Sequence, residues 1–288
     1  MVIPTITGFG TVSSNIGKIR NKGIEFTLTS RNFVTPDFEW STTFNISANN
    51  NKILSLLGKD ANGDGKEDDL ISSNLFIGES ISAIYDYKIN GIWQLHDDIP
   101  AGYHPGNYRV VDTDNVEGIT SDDRIILGKK DPAYRFGLMN KFRYKDITLS
   151  FFINSVQGGK NGYMEKNSDS LTRGNQNNRA WNRISEMAAD YWSPTNPNAT
   201  YARYIDAPSI AGTRYQQRNF IRLQDVTLGY NIPKSWLKPL GIDNVNLYVN
   251  GKNLLTITKW KGWDPESGST YFGRPVLKSF TFGLNVIL

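Results

Sequence analysis

The sequence contains no cysteine and two histidines, His96 and His104. Neither a disulfide framework nor a thiolate metal site is open to it. Two loop histidines without fixed carboxylate spacing do not make a transition-metal site. It holds no apolar run of helix-spanning length, and its mean hydropathy is −0.44, which excludes a helical membrane protein but not a β-barrel whose strands hide half their residues in a polar lumen. The net charge of +4, from 32 basic and 28 acidic residues, is too mild and dispersed for a nucleic-acid surface. A nucleophile-elbow Ser, a phosphate loop and a His-Glu-x-x-His helix are all missing, and the carboxylates are scattered, so no enzyme activity is expected. The first residues, MVIPTITG, lack the basic segment and apolar core of a signal peptide.

What is abundant is aromatic residues, at 12 %, and glycine, with 26. They fall into a period-two pattern, which reads as strands with one apolar face. The clearest case is the last stretch, residues 279–288, where Phe280, Phe282, Leu284, Val286 and Leu288 alternate with Ser279, Thr281, Gly283 and Asn285. Ile24, Phe26 and Leu28 form a similar row. So do Phe38, Trp40, Phe44 and Ile46, with Thr42 as a polar member. Tyr134, Phe136, Leu138, Phe142 and Tyr144 follow, interrupted by Asn140; then Ile147, Leu149, Phe151 and Ile153. Val226, Leu228 and Tyr230, and Val245, Leu247 and Val249, complete the set.

That makes about seven long strands. The connections after the first, third and fifth are short; those after the second, fourth and sixth are long, at residues 55–132, 157–217 and 259–274. A short helix is expected at residues 180–191 within the second. Outer-membrane barrels have this asymmetry, with short periplasmic turns and long extracellular loops. A strand of about 9–11 residues spans a bilayer when tilted. Seven strands do not close a barrel, for which eight is the practical minimum. The fold class expected is therefore all-β, the C-terminal part of a large outer-membrane β-barrel carrying about seven antiparallel transmembrane strands. Residues 1–288 are read as one such segment, with plug and earlier strands absent. The competing architecture is a secreted all-β carbohydrate-binding module, which would bury the same apolar rows in a core.

Several stretches carry a family resemblance: residues 15–26 (NIGKIRNKGIEF), 192–199 (WSPTNPNA), 220–233 (FIRLQDVTLGYNIP), 251–256 (GKNLLT) and 262–266 (GWDPE). In order and spacing the chain resembles the last third of SusC/RagA-type TonB-dependent outer-membrane transporters of Bacteroidetes. The resemblance implies a barrel of about 22 strands around a plug. It also implies an outer-membrane location, a SusD-like surface lipoprotein as partner, coupling to the TonB complex through the N-terminal part, and import of an oligosaccharide or peptide.

Candidate site residues come from the long connections. Asp60, Asn62, Asp64 and Asp68 place oxygens at positions 1, 3, 5 and 9 of a calcium loop, but position 12 is Ile71. Calcium is the one cofactor the sequence offers; an Asp/Asn/Gly turn explains the same residues. A second acidic stretch, Asp112, Asp114, Asp122 and Asp123, is less regular, with Val116 intruding. Trp93, Trp181 and Trp192 are candidate substrate-binding aromatics, weighed against simple packing within the loops. Arg135, Lys141 and Arg143 lie on the polar face of one strand and are candidate partners for acidic plug residues.

Overall fold

The computed structural model describes residues 17–162, 190–203, 208–268 and 274–287. The expected helix at 180–191 and Trp181 lie outside the described residues, apart from the helix's last two positions. The strands are β1 (Lys18–Val34), β2 (Phe38–Ser55), β3 (Ala83–Tyr87), β4 (Ile89–Ile92), β5 (Tyr108–Val110), β6 (Arg124–Lys129) and β7 (Tyr134–Tyr144). There follow β8 (Ile147–Gln157), β9 (Lys160–Gly162), β10 (Tyr215–Gln217), β11 (Phe220–Asn231), β12 (Asn244–Thr258) and β13 (Ser279–Ile287). Seven of them form one antiparallel sheet in the order β1-β2-β7-β8-β11-β12-β13. Each long strand thus pairs with the next long one in sequence. Among the described residues, no helix is long and apolar enough to cross a membrane, which says nothing of strands.

Register carries one apolar face across the whole sheet. Leu28 pairs with Phe44, Phe44 with Leu138, Leu138 with Ile153, Ile153 with Leu223 and Leu223 with Leu255. A second row runs Trp40–Phe142–Leu149–Leu228–Val249–Phe282. This face is open: Ile24 is 68 % exposed and Phe282 81 %. A sandwich or secreted binding module would have covered these side chains, so that architecture is not favoured.

Two bulges keep the face apolar where simple alternation fails. Register shifts between Leu223 and Asp225 against both neighbouring strands, so Ile221 and Leu223 share a side with Val226, Leu228 and Tyr230. A similar shift between Arg31 and Phe33 sets Phe33 opposite Trp40. On the opposite, polar face, glycines seat rings that interrupt the polar pattern. A Cβ at Gly137 would stand 2.9 Å from Phe152 Cε2, and one at Gly283 would stand 2.1 Å from Tyr248 Cζ. Each ring therefore occupies space beside a cross-strand glycine that a Cβ would fill.

The two polar interruptions of the apolar face answer each other. Thr42 pairs with Asn140 in register. Its hydroxyl donates to Asn140 Oδ1 at 2.7 Å, the Trp40 indole donates to the same oxygen at 3.0 Å, and Asn32 Nδ2 donates to Thr42 Oγ1 at 2.7 Å. Asn140 is buried beneath them. Replacing Asn140 by leucine should leave the Trp40 and Thr42 donors without an acceptor and cost about 1–3 kcal/mol. Adding Thr42→Val should recover part of that loss. Equilibrium unfolding of the full-length receptor in vesicles reads both.

Buried hydrophobic residues lie mainly in the long connections rather than in the sheet: Phe76, Ile84, Tyr108, Val110, Trp192, Tyr201 and Trp260. The connections expected at 55–132 and 157–217 therefore contain a core of their own, built on β3–β6, β4–β5 and β9–β10 pairs. At the opposite end, β1–β2 and β7–β8 are joined by three and two residues, 35–37 and 145–146, while a short helix (Lys234–Leu237) and a 3-10 turn (Lys238–Leu240) occupy the third connection.

Candidate functional site

The long-loop end holds the groups able to meet a ligand. Its inner part is organised by β3 and β6. Phe76 packs on Tyr85 with ring centroids 4.6 Å apart, and the Arg124 guanidinium covers Tyr85 at 4.8 Å. The Tyr215 hydroxyl donates to Asp86 Oδ2 at 2.8 Å, tying β10 to β3. Arg109 lies 5.4 Å from the Trp93 ring centre and is held by Asn90 Oδ1 at 2.8 Å.

Trp192 joins two long connections that are about a hundred residues apart in sequence. Its indole donates to Gln94 Oε1 at 3.0 Å, and its backbone N–H donates to Tyr201 O at 2.8 Å. Arg203 N donates to Gly106 O at 2.7 Å. Gly106 has φ +91°, and a Cβ there would stand 2.3 Å from Trp192 Cε3. Only glycine fits both the backbone and the ring. Gly106→Ala is expected to part the two connections at a cost of about 1–3 kcal/mol. Faster amide exchange at Trp192 would report it; unchanged exchange would show that the junction does not depend on this glycine.

Of the tryptophans singled out from sequence, Trp192 is 5 % exposed and packs at this junction. It also lines, with Leu95, Pro105, Tyr191, Pro194 and Arg203, a cavity of about 400 Å³. Trp93 is half-buried, with Arg109 over its ring and its N–H buried without a partner among the described residues. Both histidines are exposed.

A second cavity, about 370 Å³, opens on the polar face of the sheet, where Ser47, Asn49, Asn51 and Arg135 meet Asp131 and Tyr134. Asp131 Oδ2 accepts from Ser82 Oγ (2.5 Å), Asn51 Nδ2 (2.9 Å) and Ser80 Oγ (3.3 Å). Burial pushes this carboxyl up, but the Ser82, Asn51 and Ser80 donors outweigh it and hold it below the usual range, as an anion. The strand pattern contained no sign of this cluster, because its members come from three separate segments, residues 47–51, 80–82 and 131–135.

The acidic loops separate. Asp60 accepts from the backbone of Gly63, Asp64 and Gly65, Asp64 from that of Lys66, and Asp68 from that of Ala61; Asn62 accepts from Asp64 N. These oxygens organise a turn. Among the described residues, the carboxylates that converge are Asp112, Asp114 and Asp123, with ligand atoms within 4.8 Å of one another. Asp123 is fully buried, and backbone N–H groups of Thr120 and Thr113 donate to its two oxygens at 2.8 and 2.7 Å. The Thr120 amide foremost, against the cost of burial, holds its carboxyl below the usual range.

One tertiary cluster has no counterpart in the sequence reading. Arg222 on β11, 3 % exposed, donates to Asp264 Oδ1 and Glu266 Oε2, each at 2.8 Å, and to Thr256 Oγ1 at 3.0 Å. Arg218 donates to the carbonyls of Pro265 (3.0 Å) and Glu266. Together the two arginines hold the connection after β12 against the mouth of the sheet. Arg143, a candidate plug partner, is engaged within the wall by Glu39 at 2.9 Å.

A sheet whose open face is apolar, whose other face is polar and whose long connections share one end defines an arc of an outer-membrane β-barrel. No family model matches the chain. It is 33 % identical to TonB-dependent receptor P3 of Formosa agariphila, over 99 % of its own length and 30 % of that protein. It is 27 % identical to the TonB-dependent receptor SusC of Bacteroides thetaiotaomicron, over 99 % of the chain and 28 % of SusC. The RagAB peptide importer in its open-open state superposes with a TM-score of 0.74 at 19 % identity, covering 100 % of this chain and 31 % of the matched one. The chain belongs to the SusC/RagA-type TonB-dependent receptors and spans about 30 % of the length of the curated relatives it matches.

Proposed function

We propose that this chain is part of the wall and extracellular mouth of an outer-membrane importer. In this reading a SusD-like lipoprotein closes over a captured oligosaccharide or peptide, and TonB acting on the plug opens the path. The observation that carries it is the apolar face running across all seven strands, with the long connections gathered at one end into a body with its own core. The polar cavity around Asn49, Asn51, Asp131 and Arg135 lies on the face that lines the lumen in this reading and offers donors and acceptors to a passing ligand. The test is uptake of fluorescent oligosaccharides and peptides by cells with and without the full-length receptor, together with purification of the receptor under mild detergent. Energy-dependent uptake and a co-purifying lipoprotein support the reading. Uptake that survives loss of the receptor overturns it.

A further inference from the structure

The β1–β2 hairpin continues past the apolar band, and its outward face changes character there. From Phe38 to Ala48 the strand climbs about 25 Å along the barrel axis, at roughly 3.3 Å per residue and a tilt of about 40°. That matches the height of a lipid-facing band. The pairing is regular from Ile19 to Arg31, so Lys22 and Arg20 share the face of Ile24, Phe26 and Leu28. Their partners Asn50 and Lys52 share the face of Ala48 and Ile46, with Lys22 opposite Asn50 and Arg20 opposite Lys52. Arg20, Lys22, Asn50 and Lys52 are all exposed. Lys129 reaches in and donates to Asn50 Oδ1 at 2.6 Å.

Two cations placed directly opposite each other on neighbouring strands repel. Among the described residues, no carboxylate forms an ion pair with Arg20, Lys22, Lys52 or Lys129. Asp131, the nearby acid, acts on Lys129 through space but is itself hydrogen-bonded on the other face by Ser82 and Asn51. The patch therefore has an excess of positive charge one to two pleats above the apolar band. It stands at the long-loop end, at the headgroup level of the outer leaflet.

We propose that Arg20, Lys22 and Lys52, with Asn50 and Lys129, form a binding site for the phosphate of an outer-leaflet glycolipid whose acyl chains lie along Ile24, Phe26, Phe44 and Ile46. The inference rests on the outer-membrane reading. Charge complementarity and continuity with the apolar band identify the occupant: a phosphate alone would use only the upper half of this surface, and a neutral lipid only the lower.

The test uses the full-length receptor in nanodiscs containing phosphorylated lipid A, its dephosphorylated form, or phosphatidylcholine with added inorganic phosphate. Bound glycolipid is read by native mass spectrometry. The triple variant R20Q/K22Q/K52Q is compared with the conservative R20K. Each charge contributes roughly fivefold, so the triple variant should lose on the order of a hundredfold in lipid A retention, while R20K keeps it. Faster gel mobility before heating shows that the variants are folded barrels. Equal retention by the triple variant, equal binding of dephosphorylated lipid A, or equally tight binding of inorganic phosphate overturns the proposal. Loss of the lipoprotein partner in the triple variant without loss of lipid also overturns it. Import and membrane insertion of the triple variant are followed in parallel. Their persistence alongside lost lipid confirms the site, whereas a receptor that never enters the outer membrane refutes the reading beneath it.

Discussion

Arg222→Met in the full-length receptor should release the connection that follows β12. Arg222 is almost fully buried, and Asp264 beside it is buried as well. Removing the guanidinium leaves the Asp264 carboxylate in a low-dielectric site with the backbone N–H groups of Glu266 and Ser267, at 3.2 and 3.3 Å, and the more distant charge of Arg218. Breaking a buried pair from one side costs about 3–5 kcal/mol, because the remaining charge loses its direct partner; the Arg218 charge should hold the cost to the lower end of that range. The Glu266 side chain is 45 % exposed, so Glu266→Gln should cost well under about 1 kcal/mol. The readout is hydrogen exchange and limited proteolysis across residues 259–268. Similar protection in both variants would mean that Arg218, which grips the same segment through backbone carbonyls, is sufficient alone.

Phe282→Arg should be the most damaging substitution on the sheet's open face. Phe282 lies near the middle of β13, pairs with Val249 and is 81 % exposed. In water that exposure would make it tolerant. In a bilayer it meets hydrocarbon, and a cation at mid-depth costs about 2–4 kcal/mol. Thr281→Arg, one residue away on the polar face opposite Asn250, should cost less than about 1 kcal/mol. Folding free energies in lipid vesicles separate the two. Equal costs would mean that the open face is not in lipid.

The alternation of rows such as Phe280–Phe282–Leu284 was legible because a strand's side-chain period is two, and the lipid or lumen on each side demands one polarity. Loop-length asymmetry was legible for a similar reason, since strand count and connection length are properties of the chain alone. Trp192 shows the limit. Its sequence surroundings offered both a stacking platform and a packing residue. Gly106, 86 positions earlier, places the ring at a junction, and that glycine's φ of +91° is visible only in three dimensions. The acidic stretches show it again. Asp60, Asn62, Asp64 and Asp68 have the spacing of a cation loop, and only the structure shows that their oxygens also accept from backbone amides of that same loop. Asp123 joins Asp112 and Asp114 because Thr113 and Thr120 amides fold around it.

By itself, then, the sequence determined the seven long strands, their antiparallel order, which face of each is apolar and which end carries the long connections. These follow from local periodicity and from the inability of a tight turn to join anything but neighbours. Tertiary structure alone decided the bulges that rescue the apolar face at Leu223 and Phe33, the core inside the long connections and the Arg222–Asp264 clasp. It also decided the stacking of basic residues above the band. Each of these depends on register or on contacts between distant segments, and a one-residue slip would turn every such side chain to the other face.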